Sequence, residues 1–387
     1  MLNIRIVSKI YDNHSLSIVT RKTVLQFIKN GYFNLSIVPL DQYNPEAQVA
    51  REELLAIKPF INKELEKVDI EIRHSYPPIL SWPEDDNIKV VYIQPWEYNR
   101  VPYEWVQTFQ NFADLVVTPS NWCKDIYLNA GVNPSKVKVI PNGYDENIFN
   151  LDPPQSENRF FDDSKFIFTF VGNAQYRKGF DVLLQAWIRA FVKADNAVLF
   201  VKDTPAIYGS NNMLENIIQA QYKSGCGKIV YNDENLSETD MATIYKNSDV
   251  LVHPTRGEGF GMHIQEAMAC NAMPMVTGVG AFRDFVTENN SILINAARNF
   301  IDVNDNRYFV GKPGDSYSNM GMHFLIPEPD PNDLANKMKY LYFHHERDKV
   351  LSRVVNDRKL TTWAESAEMF AKELELVGSS GKPVRVK

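Results

Sequence analysis

Residues 247–290, NSDVLVHPTRGEGFGMHIQEAMACNAMPMVTGVGAFRDFVTENN, alternate apolar runs with glycine turns in the rhythm of an α/β unit. The stretch begins with a short apolar run, 249–252, whose length and β-branched content predict a buried strand. His253-Pro254-Thr255-Arg256-Gly257 takes the chain out of that strand, because proline has no amide to give a sheet and glycine relaxes the backbone. From about Gly261 the apolar residues Ile264, Ala267, Met268 and Cys270 fall at helical spacing. Asn271, which tolerates the left-handed conformation, is the expected stop. Residues 273–276 read as a second buried strand, and Gly278-Val279-Gly280-Ala281 as a second glycine turn leading into a second helix.

The chemistry lies in what the first turn presents. Gly257, Gly259 and Gly261 let backbone amides approach a ligand closely, and the helix that follows points its positive end at the same place, so an anion is favoured there. Glu258 sits inside the turn and Glu266 within the helix. An anion site beside two carboxylates suits a ligand that joins phosphate to several hydroxyls, as a nucleotide sugar does. Taken alone, E-G-F-G also fits an ordinary strand-turn-helix unit with a solvated glutamate.

The whole stretch resembles the donor-binding segment of family 4 glycosyltransferases, whose hallmark is two glutamates separated by seven residues. Here it stands as Glu258-GFGMHIQ-Glu266, followed by AMACNAMPMV. The resemblance implies that Glu258 lies near the donor sugar and that Glu266 bonds the ribose hydroxyls, with Gly259, Phe260 and Gly261 as donor-binding candidates between them. Asn271 stands where the family usually has glycine and can serve the same cap. The implied fold is α/β, the GT-B architecture of two Rossmann-like, doubly wound domains facing a central cleft.

A chain of 387 residues suits two domains of ordinary size. With 44% hydrophobic and 23% charged residues it has the composition of a globular protein. A net charge of -7 argues against a nucleic-acid partner held by bulk electrostatics. Cys123, Cys226 and Cys270 are far apart and without metal-ligand spacing, which favours a reduced, cytoplasmic setting. There is no run of about 18 apolar residues and no signal-peptide pattern, so any membrane contact is expected to be peripheral. Arg21, Lys22 and Lys29 offer a small basic patch for such contact, or a merely solvated helix face.

The first domain is expected over 1–150. Residues 4–7 predict a strand, followed by a loop with His14 and by Ser15 as cap of a helix whose apolar face is Ile18, Val19, Val24, Leu25 and Ile28. Loops at this position contact ligands in doubly wound sheets. Family 4 enzymes commonly have a glycine pair here, whereas this chain has Ser15-Leu16-Ser17. His14 and Ser15 are acceptor-side candidates; the alternative for His14 is an exposed histidine without a role. Residues 45–67 read as a charged amphipathic helix, 35–38 and 70–72 as strands, and Asp85-Asp86 as a solvated turn rather than a chelate. The strand 88–93 delivers Gln94-Pro95-Trp96-Glu97-Tyr98-Asn99-Arg100 to its C-terminal end. The Trp-Glu pair followed by Arg and Pro resembles a motif of some family 4 enzymes near the interdomain cleft, so Trp96, Glu97 and Arg100 join the acceptor-side candidates. The alternative has Trp96 packing inside while Glu97 pairs with Arg100. Residues 115–117 and 137–140 continue the strands, and 118–149, TPSNWCKDIYLNAGVNPSKVKVIPNGYDENIF, also resembles family 4, where it leads into the linker.

The second domain is expected over 151–361, after a polar, proline-bearing boundary at 151–164. Residues 166–171 are a fully apolar strand that runs into Gly172-Asn173-Ala174-Gln175-Tyr176-Arg177-Lys178-Gly179. Arg177 and Lys178 lie where a strand gives way to a helix, so both charges can stand over the ligand of the Glu258 turn. The resemblance places a basic residue just before this glycine, which Lys178 matches; it places arginine after the first glycine, where this chain has Asn173. Gly172 and Asn173 are donor-binding candidates. Further along, 197–202 is a strand, Ser237 and Asp240 form a capping box, 295–319 reads as a lid loop, and Asp330-Pro331 opens a helix. A last helix, 362–377 with Trp363, Ala367, Phe370 and Leu374, is expected to brace the first domain, with a loose tail from Gly378.

The expected activity is transfer of a sugar from a nucleotide-diphosphate donor to a hydroxyl of a glycan, lipid, metabolite or protein. Arg177, Lys178 and the turn amides would stabilise the leaving diphosphate, and Glu258 the sugar. The resemblance implies retention at the anomeric carbon, and the arrangement requires neither metal nor cofactor. A GT-B epimerase or phosphorylase, or a nucleotide-sugar-binding scaffold subunit, shares the architecture; a scaffold is expected to have lost Glu258, Glu266 or Lys178, and all are present.

Overall fold

The computed structural model describes every residue except 48, 155, 157, 159, 162–164, 174, 205–212, 303–322, 345–358, 384 and 386–387. The chain divides into two compact units, one of Met1–Gly143 together with Thr361–Lys387, the other of Tyr144–Leu360.

The first unit is built on six strands: β1 Asn3–Ser8, β2 Asn34–Pro39, β3 Ile70–His74, β4 Lys89–Ile93, β5 Leu115–Thr118 and β6 Val137–Val139. They pair in parallel in the order β2-β1-β3-β4-β5-β6. β3 and β5 are buried along their whole length, as parallel strands covered on both faces are. The chain adds β2 on one side of β1 and β3 on the other, so the loops after β1 and β3 flank a topological switch point.

Several expectations change in this unit. The helix Ser15–Asn30 is capped by His14, not Ser15: the His14 Nδ1 accepts the Leu16 amide at 3.3 Å. Its buried face carries Val19, Val24 and Phe27, with Ile18, Leu25 and Ile28 only half-buried. Arg21 and Lys22 are no surface patch, for both are buried against Glu53 at 2.9 and 2.8 Å. The helix expected over 45–67 shrinks to Arg51–Ile57, with single 3-10 turns at Pro45–Ala47 and Lys58–Phe60. Lys58 keeps helical backbone at φ -47° and ψ -41°, but Pro59 has no amide to continue the α-helical ladder, which ends there. Asp85 accepts the Asn87 amide at 2.8 Å in an exposed turn. The helix Trp363–Ser379 opens on a Thr362–Glu365 capping box and buries Ala367, Phe370, Ala371 and Leu374 in the core that holds Phe27 and Leu35. Gly378 lies inside this helix, and Lys89 Nζ donates to the Ser380 and Gly381 carbonyls at 3.0 and 2.6 Å, so the chain is tied down that far.

The second unit repeats the plan with β7 Phe166–Val171, β8 Ala197–Lys202, β9 Lys228–Asn232, β10 Val250–His253, β11 Met273–Thr277 and β12 Ile292–Ile294. The order is β12-β11-β10-β7-β8-β9, all parallel, which puts the switch point between β7 and β10. The helix Met262–Ala269 ends as the sequence predicts, with Asn271 left-handed at φ 71°. The Ser237–Asp240 capping box and the Asp330 cap form as expected. The helix expected after Gly280 is only the 3-10 turn Ala281–Asp284, cut off where Phe285 turns to φ -129° and packs its ring 5.2 Å from that of Phe260. The polar stretch from 295 does not start as a loop: β13 Ala296–Asp302 pairs antiparallel with β14 His323–Pro329, and the rest of the expected lid, 303–319, lies outside the described residues.

Candidate active site

The loops that leave β7 and β10 meet at the switch point of the second unit, and their backbones are laced together. The Arg256 amide donates to the Arg177 carbonyl at 2.7 Å, and Arg177 Nη1 donates to the Gly257 carbonyl at 2.6 Å. Gly179 has φ 74°, and a Cβ there would lie 1.8 Å from the Pro254 carbonyl oxygen, so only glycine permits the approach. Arg256 locks the junction. Its buried guanidinium lies 3.5 Å over the Tyr176 ring and forms forked pairs with Asp181 (2.8 and 2.9 Å) and Glu328 (2.5 and 2.9 Å).

This lacing brings Glu258 onto Lys178 and Arg177. Glu258 Oε1 lies 2.6 Å from Lys178 Nζ and 2.9 Å from His253 Nε2, and Oε2 lies 3.6 Å from Arg177 Nη1. Burial pushes the Glu258 carboxyl up, but Lys178, Arg177 and the His253 bond outweigh it and hold the group well below the usual carboxylate range. His253, at the end of β10, is pushed down by burial against the pull of Glu258. His263, in the first turn of Met262–Ala269, packs its ring 4.2 Å from that of His253 and is pushed down by burial, then by His253 and Lys178. Both imidazoles are therefore neutral at pH 7. With two cations, one carboxylate and two neutral rings, the cluster keeps one net positive charge. Next to it the helix Met262–Ala269 starts at a left-handed Gly261, φ 97°, with no capping side chain. Fixed positive charge beside an uncapped helix start favours an anion.

His253, Glu258 and His263 also bring three metal-ligand atoms within 4.8 Å of one another. A divalent cation there would meet Lys178 and Arg177 on the carboxylate it needs, so the donor set suits an anion better.

The other candidates divide. Glu266, half-buried on the helix, accepts the Tyr245 hydroxyl at 3.4 Å, and burial followed by Glu266 raises the Tyr245 phenol well above its ordinary range. Gly172 takes φ 149°, and the buried Asn173 accepts the Gln175 amide at 3.3 Å, so both shape the turn. The Phe260 side chain is a core residue against Phe285 and anchors the turn from beneath. In the first unit Ser15 is exposed and His14 is spent on its cap. Trp96 is buried: its Nε1 donates to the Arg100 carbonyl at 2.5 Å and its backbone is latched to the Cys123 thiol at 3.4 and 3.0 Å, leaving half-buried Glu97 and exposed Arg100 at the surface. The sequence reading missed His253, His263, Tyr245 and the bracing role of Arg256. The two histidines carried a signal, one at a strand's C-terminal end and one in the first turn of the following helix.

Residues 153–306 match the family model for glycosyl transferases group 1, and 72–147 that for glycosyltransferase family 4, between them more than half of the chain. An uncharacterised glycosyltransferase of Methanocaldococcus jannaschii is 30% identical over 192 residues, covering 47% of this chain and 46% of that protein. The D-inositol 3-phosphate glycosyltransferase of Mycobacterium bovis is 24% identical over 180 residues, covering 45% and 36%. The chain thus spans about half the length, or less, of these relatives. Among solved structures, Anabaena HepE in complex with UDP superposes with a TM-score of 0.67 at 13% identity, covering 97% of this chain and 100% of that one. Sucrose-phosphate synthase from Thermosynechococcus elongatus does so with 0.64 at 16%, covering 98% and 100%. The fold is GT-B, and the chain belongs to the family 4-type glycosyltransferases. Among the described residues no helix is long and apolar enough to cross a membrane.

Proposed function

We propose that this protein transfers a sugar from a nucleoside diphosphate donor to an acceptor hydroxyl, with retention at the anomeric carbon and without a metal. The observation that carries the reading is the net-positive Arg177–Lys178–Glu258 cluster beside the uncapped helix start. Breaking the bond from the anomeric carbon to the diphosphate leaves the electron pair on the phosphate oxygen. Lys178 and Arg177 are already held where that charge grows, and reorganise little to meet it. An incoming diphosphate competes with Glu258 for Lys178, and the released carboxylate turns to the hydroxyls and the developing positive charge of the sugar. Being ionised, Glu258 accepts hydrogen bonds there and is no proton donor. Glu266 takes the ribose hydroxyls. The acceptor hydroxyl attacks the face the diphosphate leaves and gives its proton to the departing phosphate oxygen, so no separate protein base is needed. HepE was crystallised with UDP-glucose, which supports a UDP-sugar as the first donor to try.

The test is thermal stability of the purified protein against UDP-, GDP-, ADP- and dTDP-sugars, with and without EDTA, repeated on Glu266→Ala. A ligand that binds only the folded state raises the midpoint by mass action. A shift with one nucleotide class, unmoved by EDTA and lost in Glu266→Ala, is the expected result. No shift with any donor would sink the reading; a shift without sugar transfer to any acceptor would bring the scaffold alternative forward.

A further inference from the structure

The C-terminal edge of the first unit's sheet is lined with tyrosine. The loop after β1 carries Tyr11, that after β2 Tyr43, that after β3 Tyr76, and that after β4 leads to Tyr103 at the start of the helix Tyr103–Asn111. Because the strands lie in the order β2-β1-β3-β4, these residues follow one another along the rim as Tyr43, Tyr11, Tyr76 and Tyr103, across the switch point. Tyr43, Tyr76 and Tyr103 are 63%, 48% and 69% exposed. The rings of Tyr43 and Tyr76 are held by aromatic neighbours. Tyr43 meets Tyr11 edge-on at 5.9 Å, and Tyr76 is backed by two buried indoles, Trp96 at 6.4 Å and 24° and Trp105 at 6.1 Å and 80°. Those indoles are themselves packed at 4.8 Å. One side of Tyr76 is thus braced while nearly half of it faces solvent, which makes a rigid platform that loses little entropy on binding.

The ligand that fits follows from the chemistry of the rim. A phenol ring offers an apolar face and a hydroxyl, and a pyranose offers the complement: a face of C–H groups ringed by hydroxyls. Half-buried Glu97 and exposed Arg100 stand in the loop beside Tyr76's indole support and are able to bond those hydroxyls. Charge excludes the main alternatives. The four segments carry Asp12, Asp41, Glu84, Asp85, Asp86, Glu97 and Glu104 against Lys9 and Arg100, an acidic balance that disfavours a phosphorylated acceptor or an anionic lipid surface. We infer that this rim binds the acceptor, and that the acceptor is a neutral saccharide stacked on Tyr76 and Tyr103. The assignment of the saccharide as acceptor rests on the transferase reading above.

Titration calorimetry of the full chain against neutral oligosaccharides ending in glucose, galactose, mannose or N-acetylglucosamine tests it, with UDP titrated in parallel and phosphatidylglycerol vesicles as the competing surface. At least one neutral oligosaccharide is expected to bind saturably. Tyr76→Ala and Tyr103→Ala should each weaken it up to about tenfold, Tyr76→Phe should keep most of the affinity, and Tyr222→Ala, an exposed tyrosine of the other unit, should change nothing. UDP binding should be the same in all variants, and the thermal transition of the first unit, which holds both residues, should stay in place, which shows that they fold. Binding to the vesicles alone, no saccharide binding, or saccharide binding indifferent to both alanine substitutions overturns the inference. If UDP, or the other nucleoside diphosphate that the thermal panel selects, binds and saccharides do not, only the acceptor class is lost; if no nucleoside diphosphate binds, it is the transferase reading that falls.

Discussion

Glu258 shows why a buried carboxylate can stay charged. Desolvation alone would protonate it, and Lys178 is the first of the neighbours that prevent this. Lys178→Met is therefore expected to cost about 3 kcal/mol at neutral pH, since it leaves a buried charge short of a partner, and to lower kcat by roughly 10²–10³ if the leaving diphosphate relies on it. The pH dependence follows from sign. A carboxyl whose folded pKa is depressed adds stability that is present above its unfolded value, about 4.3, and is lost as pH falls through the folded one. The variant, with its Glu258 less depressed, should unfold at a higher pH in an acid titration followed by circular dichroism. Buried histidines act one step earlier on the scale. His74 is pushed down to about 3 by burial and then by His14, and His253 and His263 are also pushed down. Imidazoles held neutral in the fold take up protons first in the unfolded chain, so stability is complete above about pH 6.5 and falls below it by up to about 1.4 kcal/mol per pH unit for each histidine. Urea midpoints measured between pH 7 and pH 5 should decline, and His74→Gln, which can keep the 2.9 Å bond to Thr20, should flatten the slope for the first unit and leave that of the second, which holds His253 and His263, unchanged.

Between elements, the decisive contact is backbone on backbone at Gly179 and Pro254. An alanine at 179 needs both a left-handed φ and space that the Pro254 carbonyl fills. Gly179→Ala should therefore push the two loops apart, cost about 3 kcal/mol or more, and abolish donor binding by separating Lys178 from Glu258; a variant that still gives the wild-type UDP affinity would refute this. Arg256→Met should destabilise by about 2 kcal/mol in denaturant unfolding, below the cost of a fully buried pair because Asp181 and Glu328 are partly exposed. These contacts also mark how far the sequence could be read. Strand runs such as 166–171 and 197–202, the Asn271 stop and the Asp330 cap were legible because local stereochemistry decides them. That Glu258 and Lys178 lie on neighbouring loops was legible as strand-end chemistry. Their direct ion pair was not, for it depends on β7 and β10 being adjacent, a pairing made across eighty residues. The helix misread over 45–67 and the loop misread from 295 failed for a related reason. A charged stretch without a strong period leaves the choice to Pro59 in one case and to a partner strand, 323–329, in the other.

At the scale of the molecule, the first unit is unfinished until the last helix is made. Trp363–Ser379 supplies Ala367, Phe370, Ala371 and Leu374 to a core otherwise built by residues before 144, and Phe370 lies 5.9 Å from Phe27. The entry point of that helix is tight: a Cβ on Gly143 would lie 2.3 Å from the Trp363 amide nitrogen. The Arg177–Lys178–Glu258 cluster, by contrast, is built entirely by residues of the second unit. Core damage and donor binding should therefore act on different parts of one unfolding curve. In scanning calorimetry Phe370→Ala, a large-to-small core change of about 3–5 kcal/mol, should lower the transition of the first unit by about 10 °C and leave that of the second in place. UDP at about 100 times its Kd should raise the second by the equivalent of about 2.7 kcal/mol and leave the first unmoved. A single transition that both perturbations shift alike would mean that the two units unfold as one, and the terminal helix would then be bracing the whole chain rather than one sheet.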